Sequence, residues 1–338
     1  MLSISHKAEK NTYLSSLITK GKHVKKLIAS TLLTLASSLL ATPALAETQK
    51  ITLMLDWFVN PNHGPIVIAQ QHGYFKEQGL AVTIQEPADP STPSKLVAAG
   101  KVDMAVSYQP SLIMDIAQGL PLVRSGTLIA TPLNSLITLK KSGIHSLAQL
   151  KGKTIGISIA GNEEATVGTM LNSVGLTIND VKIVNVGWAL SSSLASGKVD
   201  AIWGGLRNFE KNQLITEGYQ PVLFYPEENG VPNYDELIFV TNAKAHNKKT
   251  IRAFNTAIEE ATTYIVNHPK KAWQEFVTYA PDTLDNTLNK MAWQDTLSRF
   301  ALRPAAVDLT RYDHYARFLF DHKIISTLPE AKHYLLTF

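Results

Sequence analysis

The stretch Ala99-Gly100-Lys101-Val102-Asp103-Met104-Ala105 returns later in the chain as Ser196-Gly197-Lys198-Val199-Asp200-Ala201-Ile202. Each copy closes a helical pattern and opens an apolar strand pattern. Glycine allows the left-handed cap that ends a helix, and aspartate accepts backbone N–H groups as the chain turns into a strand. Two copies in equivalent settings predict two similar lobes.

The surroundings of both copies have the same rhythm. Before and around the first, strand patterns at 51–55, 81–85 and 102–107 alternate with helical patterns at 66–78, 94–99 and 111–118. Around the second, strands at 154–158, 181–186, 199–203 and 222–225 alternate with helices at 164–174, 191–195 and 209–217. Such alternation predicts α/β sheets with helices on their faces. After a strand at 237–241 the pattern turns helical, at 248–267, 270–279, 285–300 and 309–321, with one short helix to finish. The expected fold class is therefore α/β, two lobes around a central cleft with a helical C-terminal extension. The chain is expected to cross between lobes at 136–140 and 233–240. That divides it into 47–137 for the first part of lobe one, 138–234 for lobe two, and 235–338 for the return to lobe one.

Residues 1–46 read as an export signal, with a monomeric periplasmic protein as the mature form. Lys20, Lys22, Lys25 and Lys26 precede an apolar run at 27–40, and Ala44-Leu45-Ala46 offers a small-x-small cleavage site. The run is too short for a confident membrane span. The chain has no cysteine, hence no disulfide and no thiol for a lipid at the cleavage site. The segment holds six lysines against one glutamate, so the chain's net +4 becomes −1 without it. The mature chain gives no electrostatic reason to bind nucleic acid or a membrane.

The motifs of several chemistries are missing. There is no phosphate-cradling glycine loop and no His-Glu-x-x-His. Gly156-Ile157-Ser158-Ile159-Ala160 has alanine where a nucleophile elbow needs its second glycine. No catalytic residue, cofactor or metal site is expected. What remains is aromatic and amide-rich, and it falls where strands end, the usual place for ligands in open α/β sheets. The first strand empties into Asp56-Trp57-Phe58-Val59-Asn60-Pro61-Asn62-His63, and the third into Ser107-Tyr108-Gln109. In the second lobe Glu163, Trp188, Trp203, Asn208 and Glu210 stand near strand ends, and Tyr234 and Glu236 lie by the second crossing. The candidate binding residues are thus Trp57, Asn60, His63, Tyr108, Gln109, Glu163, Trp188, Trp203, Asn208, Glu210, Tyr234 and Glu236. Rings that stack and carboxylates that accept amine hydrogens suit a small, flat, neutral or cationic heteroaromatic ligand.

On these residues the chain resembles the periplasmic substrate-binding proteins of ABC importers, type II fold. Within them it resembles the thiamine-pyrimidine branch, which includes hydroxymethylpyrimidine-precursor binders and fungal pyrimidine synthases. The likeness rests on LDWFVNPNHGPIVIAQQHGYFKEQGL (55–80), LVAAGKVDMAV (96–106), KSGIHSLAQLKGKTIGI (141–157), SGKVDAIWGG (196–205), NFE (208–210), GVPNYDEL (230–237) and NHPKKAWQEF (267–276). It implies a solute-binding protein whose partners are a small heteroaromatic ligand and the inner-membrane permease and ATPase of an importer. It also implies that Trp57 stacks on a pyrimidine, that Asn60 and His63 bond its nitrogens or substituent, and that Glu210 and Glu236 accept from its amine. The synthase needs an imine-forming lysine and a histidine where this chain has Ser107 and Ser111, and a cysteine-rich iron loop that it lacks. The likeness therefore implies a binder, not an enzyme. Riboflavin, an alkylsulfonate or a polyamine-like amine are the other ligands considered.

Overall fold

A computed structural model describes residues 48–338; the expected export signal lies outside them. The first third of this span runs β1 (Gln49–Met54), α1 (Gly64–Gln71), α2 (Tyr74–Glu77), β2 (Leu80–Gln85), α3 (Pro93–Ala98), β3 (Met104–Ser107), α4 (Gln109–Ala117) and β4 (Leu122–Ile129). The middle third runs β5 (Asn134–Leu139), β6 (Thr154–Ile157), α5 (Glu163–Asn172), β7 (Lys182–Asn185), α6 (Leu190–Ala195), β8 (Ala201–Leu206), α7 (Glu210–Thr216) and β9 (Pro221–Phe224). The return segment gives β10 (Leu237–Asn242), α8 (Lys248–Asn267), α9 (Pro269–Phe276), α10 (Pro281–Leu284), α11 (Thr287–Thr296), α12 (Leu309–Asp321) and α13 (Ala331–Tyr334).

Ten strands make two five-stranded sheets, ordered β2-β1-β3-β10-β4 and β7-β6-β8-β5-β9. The two orders are one pattern. In each sheet four strands run parallel, and the strand that has just crossed from the other lobe slots in antiparallel between the third of them and the last. The chain therefore crosses at 130–133 and again within 225–236. The first crossing comes earlier than the expected 136–140, because Asn134–Leu139 is itself a strand of the second sheet, paired to β8 and β9. Lobe two accordingly begins before residue 138.

The repeated turn does the same work in both lobes. Gly100 and Gly197 adopt φ of 66° and 77°, the left-handed region in which a Cβ is strained. Asp103 Oδ2 accepts the Thr52 N–H at 2.7 Å, and Asp200 Oδ2 accepts the Thr154 N–H at 2.8 Å. Each aspartate N–H in turn donates to the carbonyl of that same threonine. The side chain thus fastens the start of the third strand to the neighbouring first strand, β1 or β6.

Packing fixes the rest. The first sheet is covered by α8, whose Ile251, Phe254, Ile258, Ala261 and Ile265 recur at helical spacing and are buried. Asn247 caps its first turn, accepting from the Lys249 and Thr250 N–H groups. Phe254 stacks on Phe75 and meets Phe239 edge-on, with ring centres 5.2 and 4.9 Å apart. α12 buries Tyr315, Ala316 and Leu319 in a core shared with Leu112 of α4 and Met170 of α5, so it ties both lobes. At its start Arg311 donates to the Ala130 carbonyl at 2.9 Å and to Asp235 at 2.5 Å. One guanidinium therefore holds both crossings together. No helix among the described residues is long and apolar enough to cross a membrane.

Candidate functional site

Four strand ends converge on one cleft between the lobes. β1 delivers Asp56 and Trp57, β3 delivers Tyr108, β6 delivers Ser158, and β8 carries Trp203 and leads to Glu210. Tyr234 and Glu236 of the second crossing form its back, and Tyr315 of α12 reaches in as well. The cavity measures about 90 Å³. At roughly 10–15 Å³ per water-sized position, that is room for one small substituted ring.

Local geometry explains how the side chains are aimed. Gly204 has a φ of 100°, and the pairing of β8 with β5 shifts register beside it. The resulting bulge puts an extra residue into β8 and turns the strand, as bulges beside sites often do. After β1, Asn60 accepts the Asn62 N–H at 2.9 Å and donates to the Phe58 carbonyl at 3.0 Å. Its amide is thus spent on holding the loop, although Asn60 still lines the cleft. His63 is fully buried behind that loop. Its Nδ1 accepts the Asn60 N–H at 3.2 Å, which places the ring proton on Nε2, 2.9 Å from Asp56 Oδ1. Asp56 Oδ2 accepts the Tyr108 hydroxyl at 2.7 Å. A chain from His63 through Asp56 to Tyr108 therefore fixes one wall.

The opposite wall is acidic. Glu210 accepts the Leu206 N–H at 2.8 Å. Burial pushes its carboxyl up to about 7, against the opposing pull of that N–H. Glu236 accepts the Leu133 and Asn134 N–H groups at 2.6 and 2.8 Å. Burial raises it too, partly offset by those N–H groups and by Arg207. Burial, reinforced by Asp56, also holds the Tyr108 hydroxyl well above its usual range, so it stays a donor. The Nε1 of Trp57, the Oγ of Ser158 and the hydroxyl of Tyr315 are buried without a protein partner. All three residues line the cleft.

Of the twelve expected binding residues, seven line this cleft: Trp57, Asn60, Tyr108, Trp203, Glu210, Tyr234 and Glu236. Five stand back from it. His63 orients Asp56 rather than reaching a ligand, because both its nitrogens are engaged. Gln109 is buried and accepts the Asp235 N–H, bracing the second crossing. Glu163 turns back onto the Gly161 N–H. Trp188 packs on Trp57 at the rim, ring centres 4.1 Å apart, and is 42 % exposed. Asn208 donates across the lobes to Asn62 and Thr296 at 2.6 and 2.7 Å. Beside it, Lys211 and Asn212 both reach Asp295, so α7 and α11 close a polar seam outside the cleft. Asp56, Asn134, Ser158 and Tyr315 were not among the expected contacts. Asp56 had a visible signal, its place at a strand end; Tyr315 had none, because only tertiary packing brings α12 there.

The chain is similar to several known proteins. Residues 60–272 match the model of the family described as NMT1/THI5 like. A Haemophilus influenzae protein named for thiamine biosynthesis is 50% identical over 296 residues, covering 88% of this chain and 94% of its own length. The formylaminopyrimidine-binding protein of Halalkalibacterium halodurans is 33% identical over 232 residues, 68% of this chain and 70% of its own. A 4-amino-5-hydroxymethyl-2-methylpyrimidine phosphate synthase of Saccharomyces cerevisiae is 30% identical over 271 residues, 75% of this chain and 78% of its own. Among solved structures, the alkanesulfonate-binding protein of Xanthomonas axonopodis pv. citri, bound to MOPS, superposes with a TM-score of 0.69. It is 16% identical and covers 87% of this chain and all of its own, a likeness of fold. The fold is that of the periplasmic binding proteins.

Proposed function

This chain belongs to the NMT1/THI5-like family, and on that premise we propose that it is the solute-binding component of an ABC importer for a thiamine pyrimidine precursor. Hydroxymethylpyrimidine or its formylamino relative is captured in the cleft and handed to the permease. The observation that carries this reading is the cleft itself, a space for one small ring in which Trp57, Tyr108 and Trp203 stand among three carboxylates. Indole and phenol faces hold a flat heterocycle, at about 0.5–1.5 kcal/mol per aromatic pair beyond burial. Glu210 and Glu236 both line the cavity and bring it carboxylate oxygens that can accept from an exocyclic amine. The name of the Halalkalibacterium halodurans relative supports the same ligand class.

The protein works outside the cytoplasm as a monomer and needs no cofactor. Ligand favours the state in which the lobes meet along the Asn208 seam, and that closed shape is what a permease reads. The synthase alternative is disfavoured by Ser107, buried and hydrogen-bonded to Ser94 Oγ at 2.9 Å, by Ser111, and by a chain without cysteine. These residues offer neither an imine nitrogen nor a thiolate.

The test is calorimetric titration of the protein after unfolding, washing and refolding to remove any ligand. Hydroxymethylpyrimidine and formylaminopyrimidine are the probes, riboflavin and taurine the controls. Micromolar or tighter binding of a pyrimidine alone, about −8 kcal/mol or better, is the expected result. No heat with either pyrimidine overturns the ligand assignment.

A further inference from the structure

We infer that the cleft is built to exclude anions, so that it takes a pyrimidine with an uncharged or ammonium side arm and rejects its phosphate ester. The side-arm assignment rests on the pyrimidine reading above; the charge rule does not. Three carboxylates, Asp56, Glu210 and Glu236, line the cavity, and among the described residues no lysine, arginine or histidine does. The cations nearby are already paired. Arg207 forks onto Glu227 at 2.5 and 2.9 Å and lies over the Tyr225 ring. Arg311 is held by Asp235, and His63 is turned onto Asp56.

An anion can also be held without cations, by backbone N–H groups at loops and helix starts. Here the protein's own acids occupy several of those donors. Glu163 takes the Gly161 N–H, Glu210 takes that of Leu206, and Glu236 takes those of Leu133 and Asn134. At the start of α4, Pro110 stands in the cleft wall with no N–H to give. Each of these four devices removes a place where a phosphate or sulfonate would bind. Polar groups that face a ligand include the Ser158 and Tyr315 hydroxyls, both more than nine-tenths buried and unpartnered, the Trp57 N–H, the neutral side chains of Asn62, Ser111, Asn134 and Asn162, and carboxylate oxygens. The charged members of this set are all carboxylates, which suits amines. It also separates the chain chemically from its fold neighbour that binds alkanesulfonates.

The experiment compares one ring with three side arms by calorimetry: the 5-hydroxymethyl, 5-aminomethyl and 5-phosphomethyl forms of 4-amino-2-methylpyrimidine. The aminomethyl form should bind at least as tightly as the hydroxymethyl form, and the phosphate ester at least a hundredfold more weakly. Glu210→Gln should narrow that gap by about tenfold. A phosphate ester that binds within tenfold of the alcohol overturns the inference. If no pyrimidine binds, the proposed function fails separately. Thermal shifts with benzylamine and phenyl phosphate then decide the charge rule. Stabilisation by benzylamine alone upholds it, and stabilisation by phenyl phosphate, or by neither, overturns it.

Discussion

Asn208, on the loop after β8, donates a 2.6 Å hydrogen bond to Asn62 on the loop after β1, and so joins the two lobes at the edge of the ligand cavity, which Asn62 lines and Asn208 does not. Neither partner is exposed. Asn208 also reaches Thr296. Two buried bonds of about 0.5–1.5 kcal/mol each stabilise the closed arrangement. Asn208→Ala should weaken binding by roughly tenfold, since affinity falls with the fraction of competent protein. Every ligand analogue should lose the same factor, because no ring contact changes. An analogue-dependent loss in calorimetry would place Asn208 at the ligand instead.

Trp57 meets the cavity on one side and Trp188 on the other. Trp57→Ala removes a stacking face and its N–H, and should cost about 10-fold to 100-fold in affinity by the usual worth of an aromatic pair plus burial. Trp188→Ala only loosens the support and should cost less than fivefold, roughly. Circular dichroism should show both variants folded. Unchanged affinity in folded Trp57→Ala would remove this wall from the site.

Glu210 gives a pH signature whose sign is fixed. Burial raises its carboxyl from 4.5 to about 7, so the folded state holds a proton that the unfolded state releases. Its contribution to stability is fully present below about 4.5 and is lost as pH rises through about 7, a difference on the order of 3 kcal/mol. Glu210→Gln keeps an oxygen for the Leu206 N–H and carries no charge. Denaturant melts should show the variant more stable than wild type at pH 8 and the gap closing at pH 4.5. A gap that does not change with pH would mean that Glu210 is not buried as described.

Asp103 and Asp200 fasten equivalent turns in different lobes. Asp103→Ala and Asp200→Ala should each destabilise by about 1.5–3 kcal/mol, the cost of a lost bond to a charged acceptor. Remote sites of this kind add. The double variant should therefore lose the sum in urea titrations, and a marked excess would reveal coupling between the lobes.

These aspartates also show what the sequence could disclose. The Gly-Lys-Val-Asp turn is local chemistry, and its repetition marks the two lobes in the sequence. The β4 strand escaped notice because Arg124, Ser125 and Thr127 interrupt its apolar run. They are buried all the same, with the Nε and Nη2 of Arg124 donating to Thr127 and Nη2 also to the Pro304 and Ala306 carbonyls. β5 reads as a crossing because its partners β8 and β9 come much later in the chain. At the site, strand-end position located the right loops but not the direction of each side chain. His63, Gln109 and Asn208 carry polar groups that looked free for a ligand, and their protein partners became visible only in three dimensions.

The exchange of strands between sheets sets the order in which the molecule can be finished. The second sheet uses β5 to β9, which are contiguous in sequence. The first sheet needs β10 between β3 and β4, so its middle stays open until residue 242 has been made. Until then β3 and β4 present unpaired edges, a hazard for growing chains, and their joining is a long-range and therefore slow event. The lobe that starts second is complete first. Asp56, Tyr108, Glu210 and Glu236 all precede β10 in the chain, yet the sheet that carries Asp56 and Tyr108 is finished only when that strand arrives, so a partly made chain has no receptor to offer.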